Sequence, residues 1–226
     1  AANYVLMETG HPLHTFDLRY IEGGKIVVRK AVDKEKITTL DGKERELDDS
    51  VLLICDGKKP VAVAGIMGGE NSEVKDDTTD LLLESAYFDA IVVRRGAKKL
   101  QLATDASHRF ERGTDPNGIA YALDRLASLI VELAGGEITQ GQVDAYPSVI
   151  EPLEVTFRAQ RCNAILGTEI ETTTISKILN GLELFHTENG GVFKVKVPTF
   201  RPDITREIDL VEEVGLIFGY NNIPVP

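Results

Sequence analysis

The chain has 226 residues, 42% of them hydrophobic and 27% charged, which is ordinary globular composition and enough for one large domain or two unequal ones. A net charge of −11 and a pI near 4.9 exclude a surface that is a nucleic-acid footprint throughout, while leaving room for a local basic patch. Two cysteines, Cys55 and Cys162, without CxxC spacing exclude a disulfide framework and a structural zinc site, and no apolar run approaches the roughly 20 residues of a membrane span.

The opening "AANYVLMETG" has no initiator methionine, basic leader or small-residue cleavage pattern. With the reduced-cysteine composition this predicts a cytoplasmic chain with no membrane partner, and the uncapped close "NNIPVP" predicts a piece of a longer protein. Next, "ETGHPLHTFD" places His11 and His14 around Pro12. HxxH can bind a metal, but the proline breaks the helix that would align the pair and no HExxH follows, so a structural histidine is the plainer reading. From about residue 25 to 93, short aliphatic runs alternate with turn pairs: "KIVVRKA", Asp41-Gly42, "SVLLICDG", "PVAVAGIMGG". Asp-Gly between apolar runs is a hairpin signal, so this half is expected to be mostly sheet. Gly65, Gly68 and Gly69 follow a strand without the GK[ST] of a phosphate loop; they form either a tight turn or a backbone wall that a ligand can approach closely.

In "LLLESAYFDA" strand parity turns Leu81, Leu83, Ser85 and Tyr87 one way and Leu82, Glu84, Ala86 and Phe88 the other. Glu84 therefore shares a face with apolar neighbours, where a carboxylate seldom sits unpaired. Either an arginine satisfies it, or it lines a pocket and accepts a hydrogen bond from a ligand.

Residues 94–112 carry six basic side chains (Arg94, Arg95, Lys98, Lys99, Arg109, Arg112) against Asp105 and Glu111, a local reversal of sign that suits either a solvated helix face or phosphate steering. Ser107 and His108 are sequence neighbours, an arrangement that does not make a nucleophile and base pair. A helix is predicted to open at "TDP", with Asp115 as N-cap and Pro116 at the first helical position, and to close at Gly135 and Gly136. Its apolar residues Ile119, Leu123, Leu126, Ile130 and Leu133 recur at helical spacing.

The prolines of "DAYPSVIEPLEV" mark a domain boundary near residue 150, giving domains 1–150 and 151–226. The second reads as a strand ("LEVTF"), helices at "RAQRCNAILG" and "TTTISKILNGL", a strand pair around "GVFKVKVP" and a final helix in "DITREIDLVEEVGLIFGY", a winged-helix-like order. The predicted class is α+β: a mixed-sheet domain with packed helices, followed by a small winged-helix-like α/β domain. In the last helix Asp209, Glu212 and Glu213 share a face opposite Leu210, Val214 and Ile217. Acids early in a helix suit its dipole. Clustered with Asp203 they could instead hold Mg²⁺, and spacing alone favours the dipole.

Five segments together, "NYVLMETGHPLHTFD", "PVAVAGIMGGENSEV", "LLLESAYFD", "TDASHRFERGTDP" and "VPTFRPDITREIDLVEEVGLIFGYNNIP", resemble successive signatures of the β subunit of bacterial phenylalanyl-tRNA synthetase, in order over nearly the whole chain. The resemblance implies that residues to about 150 are a tRNA-editing domain that hydrolyses tyrosyl-tRNA(Phe), and that the rest is the small domain beside it. It implies an α₂β₂ assembly in which the α subunit performs ATP-dependent charging of tRNA(Phe). By matching position, Glu84 would accept the phenolic proton of the tyrosine moiety and His14 would lie by the ester. Thr104 and Ala106 would be pocket residues, Ala64, Gly65 and Gly68 a backbone wall, and Asn3 a further site residue. The family's threonine before that asparagine is Ala2 here, which leaves one edge of the pocket altered. Asp203, Asp209, Glu212 and Glu213 match magnesium ligands shared with the α subunit. Hydrolysis would be water attack on the ester, assisted by the terminal ribose hydroxyl, without a protein nucleophile. Two other functions suit the same residues: a non-catalytic tRNA-binding or subunit-assembly module with Glu84 ion-paired, and a regulatory domain that binds free tyrosine.

Overall fold

The computed structural model describes residues 1–223; the closing "PVP" of the uncapped end lies outside them. The chain divides into two compact units, Ala1–Asp144 and a second from Ala145 onward. The class is α+β, and every strand pairing among the described residues is antiparallel.

In the first unit, β1 (Leu13–Asp17) pairs with β8 (Leu81–Ser85) as a two-stranded ribbon. Strands β2 (Val27–Lys30), β5 (Leu52–Cys55), β6 (Pro60–Val63) and β7 (Met67–Gly68) form a sheet in the order β2-β5-β6-β7. The Asp41-Gly42 turn closes the hairpin of β3 (Glu35–Thr38) and β4 (Glu44–Leu47), with Gly42 at φ 73°, a left-handed conformation that glycine adopts without strain. Helices α1 (Ala2–Thr9), α2 (Ala90–Leu100), α3 (Asp105–Phe110) and α4 (Ile119–Ala134) complete it.

The β1–β8 ribbon is apolar on both faces because both faces are covered. Phe16 and Leu82 join the main core with Leu53, Val61, Val63 and Val93. Leu13 and Leu83 pack with Val5 of α1 and Ala122 and Leu126 of α4. A strand so enclosed reads as a continuous hydrophobic run.

Two helical boundaries differ from the sequence expectations. The sheet-rich stretch ends at Ser85, and α2 begins at Ala90, capped by Asp89, whose carboxylate accepts from the Ile91 and Val92 N–H groups. The helix expected from Asp115 begins at Ile119 with Gly118 as its N-cap. The Asp115 side chain instead accepts from Asn117 N at 2.9 Å, making a local turn that competes with the helix. Gly135 closes α4 as expected, at φ 74°. Helix α1 had no sequence expectation.

The second unit runs β9 (Leu153–Arg158), α5 (Ala159–Leu166), α6 (Thr172–Gly181), β10 (His186–Asn189), β11 (Val192–Val197) and α7 (Glu207–Phe218), its sheet ordered β10-β11-β9. Along β11, Phe193, Val195 and Val197 are buried while Lys194 and Lys196 are exposed, the alternation of a sheet with one covered face. Helix α7 starts at Glu207, four residues after Asp203, so Asp203 lies outside it. Leu210 and Val214 are buried as the stripe predicted, but Ile217 is 53% exposed. No described helix is long and apolar enough to cross a membrane.

Candidate functional site

The β1–β8 register sets His14 directly opposite Glu84. Cross-strand partners in an antiparallel pair project from the same face, so the imidazole and the carboxyl are neighbours. Glu84 Oε2 is buried without a hydrogen-bond partner, and no cation pairs with Glu84 among the described residues. Burial raises its pKa to about 7. The same cause lowers His14 to about 4, so the ring is neutral at pH 7; it stands edge-on to Phe16, with centroids 4.5 Å apart.

Both groups line a cavity of about 300 Å³. Of the residues expected at the site, Asn3, His14, Gly65, Gly68, Glu84, Thr104 and Ala106 line it. Ala64 does not; it is 1% exposed and belongs to the core behind the wall. The rest of the lining, including Leu6, Leu40, Met67, Phe88, Asp105 and Phe110, had no sequence expectation as a site. Phe88 and Phe110 meet edge to face at 5.0 Å and form an aromatic wall.

Two glycines shape the cavity. A Cβ on Gly68 would lie 2.5 Å from His14 Cε1 and 2.8 Å from Nε2, so only glycine leaves the imidazole its place. Gly65, at φ +67°, turns the chain where a Cβ would sit 2.9 Å from the Phe88 ring.

The Thr104 hydroxyl has its proton committed within the chain. It donates to Ile66 O at 2.8 Å and accepts from Ser107 N at 3.0 Å as the N-cap of α3, while Ser107 Oγ accepts from Thr104 N. Thr104 thus ties the β6–β7 turn to α3 and fixes two walls of the cavity. Its neighbour Ser107 is committed to this capping box, and His108 is exposed beside Arg112, so no triad forms.

His11 is buried with both ring nitrogens unpartnered, edge-on to Phe110 at 6.2 Å, and lies outside the cavity lining. Several side chains of the basic run are engaged within the chain. Lys99 pairs with Asp48 at 2.8 Å, Arg112 with Glu111 at 2.7 Å, and Arg109 donates to Asp105 O at 3.0 Å. Arg95 and Lys98 are exposed without an ion-pair partner among the described residues.

The carboxylates of the second unit are held apart from one another by cations and backbone. Arg201 bridges Asp203 at 2.6 Å and Glu213 at 2.8 Å. Asp209 accepts from Thr205 N and Arg206 N, each at 2.9 Å, and Glu212 is exposed. Mg²⁺ needs convergent oxygens, whereas here a guanidinium stands between two of the four carboxylates. No group of three or more His, Cys, Asp or Glu is placed to hold a metal among the described residues. As they stand, these side chains do not fit the magnesium site that the sequence resemblance implies.

The B3/4 domain family matches residues 1–135, and the tRNA synthetase B5 domain matches residues 155–220. The phenylalanine–tRNA ligase beta subunit of Syntrophus aciditrophicus is 52% identical over 227 residues, covering 99% of this chain and 28% of the relative. That of Geobacter metallireducens is 54% identical over 224 residues, with the same two coverages. The chain therefore spans 28% of the length of these relatives. A crystal structure of an N-terminal fragment of the phenylalanyl-tRNA synthetase beta subunit from Pyrococcus horikoshii aligns with a TM-score of 0.45 at 17% identity, over 97% of this chain and 64% of that one.

Proposed function

This chain belongs to the B3/4 domain family, and we propose that it is part of the β subunit of a phenylalanine–tRNA ligase and carries the site that hydrolyses mischarged tyrosyl-tRNA(Phe). Glu84 carries this reading: a buried carboxyl whose Oε2 has no partner, facing a cavity beside His14. A pocket selective only by shape rejects an added hydroxyl weakly, by something like 10²-fold, so a ligase for phenylalanine admits some tyrosine. A second site that must hydrogen-bond the hydroxyl reverses the preference, since phenylalanine would leave the acceptor unpaired at about 1–3 kcal/mol.

In this arrangement the tyrosine ring lies against Phe88 and Phe110, and its hydroxyl donates to Glu84. The ester then sits by His14. With a lowered pKa the imidazole is a weak base, suited to orienting the ester or its water by hydrogen bonds. The attack is by water, aided by proximity and the terminal ribose hydroxyl. Thr104 and the two glycines hold the walls in register. Charging itself, with ATP, is assigned to the α subunit of an α₂β₂ enzyme, and tRNA(Phe) is the shared substrate. A non-catalytic assembly module would be expected to pair Glu84 with a cation, and none of the described ones reaches it.

The test is release of tyrosine from tyrosyl-tRNA(Phe) by the intact ligase, with phenylalanyl-tRNA(Phe) as control. Glu84→Ala and His14→Ala are expected to abolish the release while charging continues. Undiminished release by both variants would remove these residues from the site.

A further inference from the structure

The cavity has an order from floor to mouth. Glu84 and His14 are both half-buried, with Glu84 Oε2 itself shielded from solvent, and Leu40 is 40% exposed. Among the lining residues only Asn3, Leu40 and Asp105 are exposed, so these three mark the mouth. Leu40 and His14 crowd the same point above Gly68: a Cβ there would lie 3.1 Å from Leu40 Cδ1 and 2.8 Å from His14 Nε2.

Exposed leucines are common and need no explanation by themselves. This one is held in place. Its N–H donates to Gly68 O at 3.0 Å. The β3–β4 hairpin that carries it is clamped by Arg45, which donates to Thr39 Oγ1 at 3.0 Å, Asp41 Oδ2 at 2.6 Å and Leu100 O at 3.2 Å. A tight turn with its flanking positions fixed by one guanidinium presents an apolar side chain rigidly at the mouth.

A tyrosyl ester with its hydroxyl on Glu84 and its carbonyl by His14 directs the alcohol portion of the ester toward Leu40. In an aminoacylated RNA that portion is the terminal nucleoside. A nucleobase offers flat faces of low polarity that pack on an aliphatic side chain, and Asn3 and Asp105 offer hydrogen-bonding groups to the ribose. We infer that Leu40 is the specificity-determining contact for the nucleobase of the RNA's 3′-terminal nucleotide, an inference that rests on the tyrosyl-ester reading above. The hairpin then distinguishes an RNA-linked tyrosine from the free amino acid.

The experiment measures binding of three hydrolysis-resistant probes to this chain by calorimetry: tyrosinamide, the tyrosyl amide of 3′-amino-3′-deoxyadenosine, and the same amide on a sugar lacking the base. We expect the adenosine amide to bind more tightly than the abasic one, and Leu40→Ser to remove that gain, roughly tenfold, the factor for losing about 1.4 kcal/mol of apolar contact. Tyrosinamide affinity should be reduced by Glu84→Gln, and Leu40→Ser should weaken tyrosinamide and the abasic amide far less than it weakens the adenosine amide. Equal affinity of the wild type for the adenosine and abasic amides would overturn the inference, as would an unchanged gain in Leu40→Ser or equal weakening of all three probes by it. Failure of every probe to bind the wild type would instead overturn the tyrosyl-ester site on which the inference rests.

Discussion

Glu84 and His14 are direct partners across the β1–β8 pairing, and burial drives their pKa values toward each other's usual territory, Glu84 up to about 7 and His14 down to about 4. The two shifts act on stability with opposite sign. Glu84, raised from an ordinary 4.5, contributes stability that is present below pH 4.5 and lost as pH rises through about 7. His14, lowered from 6.5, contributes stability that is present above pH 6.5 and lost as pH falls through about 4. Between pH 4.5 and 6.5 they oppose each other. Urea unfolding across this range is therefore expected to respond to single substitutions in opposite directions. Relative to wild type, Glu84→Gln should make stability rise more steeply with pH, and His14→Ala should make it fall. Identical pH profiles for all three proteins would contradict the burial of the pair.

Gly68→Ala is expected to damage the site more than the fold. The added methyl would meet the His14 ring at 2.5 Å, and a side chain can swing away where backbone cannot. A stability loss of about 1–3 kcal/mol should accompany a disproportionate loss of tyrosyl ester hydrolysis. Full activity in a folded Gly68→Ala protein would show that the imidazole position is not needed.

Thr104 is expected to act through position. Thr104→Ser keeps the hydroxyl that caps α3 and reaches Ile66 O, and should retain both stability and activity. Thr104→Val keeps the shape but loses both bonds, at a cost of about 1–2 kcal/mol. If Thr104→Ser were as inactive as Thr104→Val, the methyl group, and not the clamp, would be what matters.

Arg201 is expected to control the carboxylates around it. Arg201→Met removes the cation between Asp203 and Glu213, so thermal stability should drop at low Mg²⁺ and recover as millimolar Mg²⁺ is added, while the wild type is indifferent to the ion. A magnesium-dependent melting temperature in the wild type, abolished by Asp203→Asn, would mean that the ion displaces the guanidinium.

Parts of this site could be read along the chain. Glu84 stood out because a charge broke an apolar period of two, and Asp41-Gly42 located the hairpin from its turn chemistry alone. The pairing of Glu84 with His14 could not be read, because register is set by the packing of Phe16 and Leu82 on one face and Leu13 and Leu83 on the other. Helix α1 escaped because eight residues with two buried side chains show too little periodicity. In α2 the β-branched run Ile91, Val92 and Val93 resembles a strand, and the missed signal was Asp89 as N-cap. Asp115 misled for the converse reason: its carboxylate took the local turn. Leu40 carried no sequence signal, since an apolar residue beside a polar turn acquires meaning only when Gly68 and His14 are brought beneath it.

The most direct measurement is the affinity of this chain for tyrosine relative to phenylalanine, in wild type and in Glu84→Gln, by calorimetry above pH 7. With Glu84 ionised and unpartnered, the wild type should favour tyrosine by about tenfold or more, the factor for one hydrogen bond to a buried charged acceptor. Glu84→Gln should largely remove the preference. Equal affinity of the wild type for the two amino acids, or a preference that survives in Glu84→Gln, would contradict the recognition of one hydroxyl by Glu84.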